Sequence, residues 1–247
     1  MKGSKIDLQK EKFESLFKAG LSDYKIAKEL GVNHVTVFQY RKKHNYIRDS
    51  LKENKYIPIS KYQLEIIIGI IMGDGYLCKP NTNTIFKTSH GPKQKEYCKY
   101  ISNELNSLGS TLRYSKRKKV DIRTNKMYES YICALPANPA LNKLYEMFYV
   151  NGVKVIPNDN FFYTNFTERS LAFLYMDDGN KMHKGYAIAT MCFTEKQILE
   201  FRKFLFNKFN LETSMFSDHR IYIKAKSAEH FKNLITPYMH ETMMYKL

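Results

Sequence analysis

The chain has 247 residues, and its 43% hydrophobic content is enough for the core of one duplicated domain with a small additional module. Lysine and arginine number 40 against 24 acidic residues, so the net charge of +16 predicts a polyanionic partner, most simply nucleic acid. The sequence has no apolar stretch of about 18 residues that could span a membrane, and its first residues lack the hydrophobic core of a signal peptide. Its four cysteines have no metal-ligand spacing, which argues against a zinc site and fits a reducing cytosol.

The first 48 residues are expected to form a small all-α module. Its predicted helices span residues 8–18, 23–30 and 34–44. Ser22 and Asn33 precede the second and third helices, where their side chains can cap backbone N–H groups. Residues 49–61 are polar and charged with one proline, and this composition predicts a linker.

A resemblance to the helix-turn-helix modules of recombinases and transposases is carried by the string GLSDYKIAKELGVNHVTVFQYRKKH at residues 20–44. In such modules the second helix of the pair lies in the major groove of DNA. The resemblance implies a DNA-facing side formed by Asn33, His34, Thr36, Gln39, Tyr40 and Lys43. Val35, Val37 and Phe38 are expected to include the anchors to the core. The alternative is a plain three-helix module that binds a protein.

Two apolar runs of the same shape each end in an acidic residue followed by glycine. They are QLEIIIGIIMGDGYL at residues 63–77 and ERSLAFLYMDDGN at residues 168–180. Each run is about three turns long and apolar nearly all round, which predicts a buried helix. Because Asp74 and Asp178 end both runs, we expect one structural unit used twice, with halves at residues 62–157 and 158–247.

The first run carries small residues that allow close helix packing. Gly69 and Gly73 lie four residues apart on one face, and Phe173 of the second run falls opposite Gly69. We therefore expect the two helices to pack side by side about a pseudo-twofold axis, with Asp74 and Asp178 at the same end. Two carboxylates there repel each other and oppose the helix dipole, so a cation is expected between them. The alternative is that each Asp-Gly is only a turn after a buried helix.

The segments after each run predict the same order of elements in both halves. In the first half, strands are predicted at residues 75–79, 84–89, 112–118 and 127–135, with helices at 93–108 and 138–148. In the second half, strands are predicted at residues 184–191, 212–216 and 220–224, with helices at 195–209 and 228–238.

The strings IIGIIMGDG and LAFLYMDDG resemble the two motifs of the single-chain LAGLIDADG homing endonucleases. Three further segments resemble family signatures, namely HGPKQKEY at residues 90–97, FYVNGVKVIP at 148–157 and ITPYMHETMMYKL at 235–247. The resemblance implies an α+β fold, in which a duplicated pseudo-twofold αββαββα domain forms a DNA saddle from antiparallel sheets. The N-terminal module would then be an addition to that fold.

The resemblance also implies a metal site at the two motif acids. Asp74 and Asp178 would bind the metal, with the backbone carbonyls of Gly73 and Asp177 as co-ligands. The side chain of Asp177 is a further candidate ligand. Oxygen-only ligands favour Mg²⁺, with Mn²⁺ as the other option.

The family places a polar and a basic residue beside each acid. In the first half these positions match His90 and Lys154. In the second half the basic position matches Lys246, whereas the polar position falls on Met191, where glutamine is usual. This departure predicts either that one strand is cut more slowly or that another side chain positions the water, with His183 and Thr190 as the candidates.

Basic residues on the predicted strands and hairpins are expected to face DNA. Residues 113–126 carry seven lysines and arginines and one acid, and at the rim of a saddle phosphate contact explains this better than solvation alone. The predicted groove-side cations are Lys79, Lys87, Arg113, Lys116, Arg117, Arg123, Lys181, Lys184, Arg220 and Lys224.

These features together predict a site-specific endonuclease that cuts both strands of a long DNA target and promotes homing of its own gene or intron. It is expected to act as a monomer, without membrane contact, in the cytoplasm, an organelle or a phage-infected host that holds the target DNA. An initial methionine and the absence of a C-terminal His-Asn argue against an intein. The alternatives are a non-cleaving DNA-binding regulator on the same scaffold and a maturase that binds intron RNA.

Overall fold

The computed structural model describes residues 5–46, 56–117, 120–122 and 124–247. The chain divides into two compact units, residues 1–53 and 54–247, and each has its own hydrophobic core. Arg123 and residues 49–55 of the predicted linker lie outside the described residues. None of the helices in the described ranges is both long and apolar enough to cross a membrane.

In the described part of the first unit, three α-helices follow a short 3-10 helix at Asp7–Gln9. They are α1 (Lys10–Lys18), α2 (Asp23–Leu30) and α3 (His34–Lys43). The Ser22 side chain accepts a hydrogen bond from the Lys25 N–H, and the Asn33 side chain accepts one from the Val35 N–H, so both predicted caps are present. Gly31 ends α2 in the left-handed conformation (φ 62°), which favours glycine and turns the chain tightly into α3.

The core of this unit corrects the predicted faces of α3. Tyr40, predicted to face DNA, is only 5% exposed and packs edge-on against Phe13, with ring centroids 5.2 Å apart. Val37 is buried as expected, whereas Val35 and Phe38 are 46% and 42% exposed. The core therefore takes positions 37 and 40 of the helix, and the two apolar side chains assigned as possible anchors lie at its surface.

The second unit begins with one complete αββαββα half. Its elements are α4 (Lys61–Met72), β1 (Tyr76–Cys78), β2 (Ile85–His90), α5 (Lys95–Glu104), β3 (Thr111–Lys116), β4 (Glu129–Ala134) and α6 (Asn142–Phe148). Ser60 and Gln63 form a reciprocal capping box that starts α4. The four strands form an antiparallel sheet in the order β1-β2-β4-β3, and α5 packs against β2, β3 and β4.

A short connection that the sequence did not predict in detail joins the two halves. It contains a two-stranded ribbon of β5 (Tyr149–Val150) and β6 (Val153–Lys154), followed by α7 (Asn160–Asn165). The ribbon turns through Asn151 and Gly152, both with positive φ. It ends at Lys154, one of the residues predicted to serve the site.

The second half repeats the first. Its elements are α8 (Glu168–Asp178), β7 (Gly179–Met182), β8 (Gly185–Ile188), α9 (Glu195–Phe209), β9 (Thr213–Met215), β10 (Ile221–Ile223) and α10 (Ala225–Ile235). The sheet order β7-β8-β10-β9 corresponds strand for strand to that of the first half. The predicted duplicated α+β fold is confirmed, and β7 is a strand that the sequence prediction missed.

The two halves meet through α4 and α8, which pack directly against each other. A Cβ atom at Gly69 would lie 2.4 Å from the Ser170 carbonyl oxygen and 2.9 Å from Phe173 Cβ. The Ser170 hydroxyl also donates a 2.8 Å hydrogen bond to the Glu65 carbonyl oxygen of α4. The close approach predicted for Gly69 and Phe173 is therefore confirmed, and it places the ends of the two helices side by side.

Candidate active site

The two motif helices end differently, although their sequences align. α4 ends at Met72, and Gly73 leaves helical geometry with φ −97° and ψ −127°. Asp74 therefore lies beyond the helix, with its side chain 45% exposed. α8 continues through Asp178, which is half-buried.

Asp177 occupies the space beside Gly73. A Cβ atom on Gly73 would lie 2.6 Å from Asp177 Cβ, so only glycine fits opposite this side chain. Asp177 Oδ2 accepts a hydrogen bond from the Asp74 N–H at 3.2 Å, and Oδ1 accepts one from the Tyr97 hydroxyl at 2.9 Å. The buried carboxyl group of the second half thus holds the backbone of the first-half acid, a role that sequence reasoning did not identify.

His90 lies beneath the same acid. Its side chain is fully buried, with Nδ1 3.7 Å from Asp74 Oδ2 and Nε2 3.9 Å from Asp177 Oδ1. Nε2 is also 3.1 Å from the Thr88 hydroxyl, whereas Nδ1 has no hydrogen-bond partner among the described residues. Burial lowers the pKa of His90, and the nearby Asp74 carboxylate opposes this effect. The imidazole therefore contacts the acid from the protein side.

Two lysines bind the backbone at the helix ends. Lys154 Nζ donates to the Gly73 carbonyl oxygen at 2.9 Å. Lys246 Nζ donates to the carbonyl oxygens of Met176 at 2.6 Å and Asp177 at 2.9 Å. Burial lowers the pKa of both lysines, and the neighbouring carboxylates oppose it. The two lysines predicted at equivalent places are thus brought to equivalent carbonyl groups, each directly before a motif acid.

The carboxyl groups interact strongly with one another. Burial, followed by the charge of Asp74, raises the pKa of Asp178 to about 6, while Lys154 and Lys246 lower it. The same two causes raise the pKa of Asp177 well above its usual range. Such a cluster is costly without a compensating positive charge, so it favours cation binding.

The donor set fits a divalent metal ion. Ligand atoms of Asp74, His90 and Asp177 lie within 4.8 Å of one another. The set offers carboxylate oxygens and one buried, unpartnered imidazole nitrogen, and the adjacent carbonyl of Gly73 adds a further oxygen.

The strand register corrects the predicted polar position of the second half. In the first sheet Tyr76 pairs with Lys87, and in the second sheet Asn180 pairs with Ala187. Tyr76 and Asn180 each lie two residues after their motif acid, so their partners Lys87 on β2 and Ala187 on β8 are equivalent positions. Three residues further along the chain, His90 is therefore equivalent to Thr190, not to Met191. The register therefore favours Thr190, one of the two alternatives named from the sequence, over Met191 as the counterpart of His90.

The side chains around this position differ between the halves. Thr190 is buried, and its hydroxyl donates to the His219 carbonyl oxygen, away from Asp178. Met191 is 56% exposed. His183 lies in the exposed turn between β7 and β8. None of the three matches the contact that His90 makes with Asp74.

Strand alternation sorts the predicted DNA-contacting cations by face. Lys87 and Arg113 lie on the face opposite the buried side chains of Thr88 and Cys133. In the second sheet, Arg220 and Lys224 alternate with the buried Ile221 and Ile223. These four cations are on the faces not covered by helices. Lys184 lies in the exposed β7–β8 turn, and Arg117 follows β3 and pairs with Asp121 at 3.4 Å.

For three cations the groove-side prediction is corrected. Lys79 lies 3.6 Å from Glu146 on α6. Lys116 pairs with Glu129, on the opposite side of β3 from Arg113. Lys181 Nζ donates to the Leu247 carbonyl oxygen. Side chains alternate between the two faces of a strand, and each of these lysines lies an odd number of residues from a groove-facing position. All three side chains are therefore on the side covered by helices.

A duplicated α+β saddle with basic sheet faces and an acidic centre defines a class of DNA-cleaving proteins with two motifs on one chain. The model of the LAGLIDADG DNA endonuclease family matches residues 64–231. Because this match covers more than half of the sequence, the chain belongs to that family. The match begins after the first unit, which is therefore an addition to it.

Relatives and one solved structure agree with this assignment. The probable intron-encoded endonuclease 1 of Wickerhamomyces canadensis is 31% identical over 213 residues, covering 81% of this chain and 89% of the relative. The cytochrome b mRNA maturase bI2 of Saccharomyces cerevisiae is 27% identical over 219 residues, covering 77% of this chain and 48% of the maturase. The homing endonuclease I-WcaI bound to its DNA recognition sequence matches with a TM-score of 0.70 and 28% identity, over 84% of this chain and 97% of that one.

Proposed function

We propose that this protein is a homing endonuclease that cuts both strands of a specific DNA site with the help of a divalent metal ion, Mg²⁺ or Mn²⁺. The observation that carries the proposal is the cluster of carboxyl groups, Asp74, Asp177 and Asp178, at the ends of the two paired helices. Such a cluster would be unfavourable in a purely structural role, because burial and mutual repulsion destabilise the ionised acids.

Asp74 and Asp178 would hold the metal ions, with Asp177 and His90 beside Asp74 as further candidate ligands. The carbonyl oxygens of Gly73 and Asp177, which also accept from Lys154 and Lys246, would complete the set. A bound divalent ion supplies a more acidic water and neutralises charge on the phosphate. In each strand, hydrolysis forms one P–O bond from water and breaks one P–O bond to a sugar oxygen, which leaves a phosphate monoester and a hydroxyl. Lys154 and Lys246 are fixed at the helix ends by their carbonyl contacts, where their ammonium groups oppose the negative charge of the phosphates.

The first unit is proposed to bind DNA separately from the core. The exposed side of α3 carries His34, Val35, Phe38, Gln39 and Lys43, and the segment 31–46 has three cationic residues and no acidic ones. An apolar side chain can contact a thymine methyl group, and glutamine can bind adenine through two hydrogen bonds. Asn33 and the half-buried Thr36 remain at the start of this surface, whereas Tyr40 does not.

The partner is proposed to be a long double-stranded DNA site, bound by one copy of the chain, since both motif helices are present in a single polypeptide. The protein would act in whichever compartment holds that DNA. The similarity to maturase bI2 favours binding of intron RNA as the second candidate function.

The decisive experiment incubates the full chain and Mg²⁺ with duplex DNA from a randomised library. Cleavage that requires the metal and disappears in Asp74→Asn supports the endonuclease. Tight DNA binding without cutting would instead indicate a regulator. Metal-independent RNA binding that promotes intron splicing would indicate a maturase.

A second experiment tests the first unit in the full chain, with Asp74→Asn to prevent cleavage. Gln39→Ala should weaken binding to the selected DNA by about 1–3 kcal/mol and shorten the protected region at one end. Leu8→Ala is the matched control, because Leu8 is 88% exposed and lies outside α3. An unchanged footprint in Gln39→Ala and in Phe38→Ala would remove the DNA-reading role.

A further inference from the structure

The groove-facing sides of the two sheets carry different side chains at equivalent positions. Lys87 on β2 and Ala187 on β8 are equivalent, as their pairing with the first strand of each sheet shows. On the next strand, Lys87 pairs with Ala134, and Ala187 pairs with Tyr222. The first half therefore has a lysine beside an alanine where the second half has an alanine beside a tyrosine.

A second difference lies two residues along the outer strands. In the first sheet Arg113 pairs with Ile132, which is two residues before Ala134. The corresponding pair of the second sheet is Phe216 with Arg220, where the Phe216 N–H donates to the Arg220 carbonyl oxygen at 2.9 Å. Phe216 therefore takes the place of Arg113. An aromatic ring thus lies at or beside both positions that are cationic in the first half.

The two aromatic rings form one open surface on the second sheet. The ring centroids of Phe216 and Tyr222 lie 5.5 Å apart, and both side chains are partly exposed. A Cβ atom at Gly185 would lie 2.8 Å from the Tyr222 hydroxyl oxygen, so the missing side chain there leaves room for the ring. Ala187 pairs with Tyr222 on the groove side and is nevertheless fully buried. The aromatic surface therefore lies along the sheet and covers it.

The charges around the two surfaces differ as well. The Arg220 guanidinium carbon lies 5.1 Å from the Phe216 ring centroid, and Arg220 Nε donates to Asp218 at 2.8 Å. Lys224 lies 3.9 Å from Glu212. None of the ion pairs among the described residues includes Lys87 or Arg113. The first half therefore presents free cations to the groove, whereas the second presents aromatic rings whose neighbouring cations are partly neutralised.

We propose that the two halves read different bases. Lys87 and Arg113 bind guanine, which presents the N7 and O6 acceptors in the major groove, and Phe216 and Tyr222 contact the C5-methyl groups of thymine. A free cation donates hydrogen bonds to a guanine edge, whereas an aromatic ring buries a methyl group. The proposal rests on the endonuclease function described above and adds the bases that distinguish its two half-sites.

The test removes single groups from the DNA. Target duplexes are selected by binding from a randomised library, with the full chain carrying Asp74→Asn to prevent cleavage. Each selected thymine is then replaced by uracil, which lacks only the methyl group, and each guanine by 7-deazaguanine, which lacks the N7 acceptor. Uracil should weaken binding by about fourfold for each contacted methyl group, and 7-deazaguanine by about fivefold or more, in opposite half-sites.

Variants assign each effect to its half. Tyr222→Ala and Phe216→Ala should each reduce the uracil effect to less than about twofold at one or more thymines, and leave the 7-deazaguanine effect in place. Lys87→Ala and Arg113→Ala should do the reverse. Tyr222→Phe keeps the ring and should keep the uracil effect. Phe206→Ala is the matched control and should change neither effect, because Phe206 is 51% exposed and lies on α9 instead of a strand.

The base replacements are compared on the same protein, so their effects do not depend on how stable a variant is. Uracil that weakens binding in neither half-site would overturn the inference. A uracil effect that survives both Tyr222→Ala and Phe216→Ala would overturn it as well. Cleavage of the selected site by the wild type would leave the endonuclease function standing in either case. Failure to select any sequence, together with no cutting under any divalent metal, would overturn both.

Discussion

The two halves of the core have the same topology but different centres. Both follow the order αββαββα, and both sheets have the same strand order. At the shared helix ends, however, Gly73 faces Asp177, and His90 is matched by Thr190. Both halves have the same fold because the packing of helices on sheets depends on the pattern of buried residues, which the halves share. The chemistry depends on single side chains, which have diverged.

The largest expected effect tests whether both acids are needed. Asp74→Asn and Asp178→Asn should each lower the cleavage rate by on the order of 10³-fold, because metal ions contribute several kcal/mol of charge stabilisation. DNA affinity, measured by gel shift in Ca²⁺, should change by less than about fivefold, which is a small part of the total binding free energy. An Asp178→Asn variant that still cuts both strands at the wild-type rate would show that the halves are not equivalent even in their acids.

The interface between the halves provides the second test. Phe173→Ala should cost about 3–5 kcal/mol of unfolding free energy, because the ring is buried and packs against Tyr97 and Tyr100 of α5 in the first half. Gly69→Ala should cost about 1–3 kcal/mol, since the added methyl group meets the Ser170 carbonyl oxygen. Gly91→Ala is the control, because nothing lies within 4 Å of a Cβ atom there. Urea unfolding measures all three, and a neutral Gly69→Ala would contradict the tight helix contact.

The third test uses the pH dependence of stability. The pKa of Asp178 is raised to about 6 by burial, whereas an ordinary aspartate titrates near 4. Because the folded-state pKa is above the unfolded value, the native state binds the proton more tightly, and this group lowers stability as the pH rises from about 4 through 6.

Asp178→Asn should therefore make the metal-free protein more stable than the wild type at pH 7, by up to about 2 kcal/mol. The advantage should vanish toward about pH 4, where both side chains are neutral. Chemical unfolding in a chelating buffer measures the difference. A variant that is less stable than the wild type at pH 7 would show that its carboxylate is held by favourable contacts instead.

The smallest expected effect concerns the two sheet faces. Lys87 has no ion pair within the described residues, whereas Lys224 lies 3.9 Å from Glu212. If both contact phosphates, Lys87→Gln should reduce the slope of log affinity against log salt by about one. Lys224→Gln should reduce it by less, because Glu212 already neutralises part of its charge. Lys79→Gln, on the helical side, should leave the slope unchanged, and a decrease there would contradict the assignment of faces.

The sequence allowed most of the fold to be predicted, because strong local signals agree with the packing. The helix predicted at residues 195–209 was found with the same bounds, since Thr194 and Gln197 form a capping box and Asn210 ends it in the left-handed conformation. β7 was missed because the segment Gly179–Met182 is short and largely polar. Tyr40 was misplaced because a short helix allows more than one buried face, and only packing against α1 decides between them.

The site was predicted in part. Sequence reasoning named Lys154 and Lys246, and the structure places them at equivalent carbonyl groups, because the similarity of the two halves extends to these positions. The contact of Asp177 with the first half was not predicted, because it depends on the space that Gly73 leaves across the helix pair. In the aligned motifs Gly73 corresponds to Asp177, and this difference in size was the signal that could have predicted the contact. The match of His90 with Thr190 required the strand register.

The contact between Gly69 and Phe173 also restricts which halves can pair in a protein made by recombining copies of the gene. Two first halves brought together would place glycine against glycine and leave a void, while two second halves would place two phenylalanine rings in space meant for one. Chimeras made with a related endonuclease should therefore fold only when one half of each type is joined.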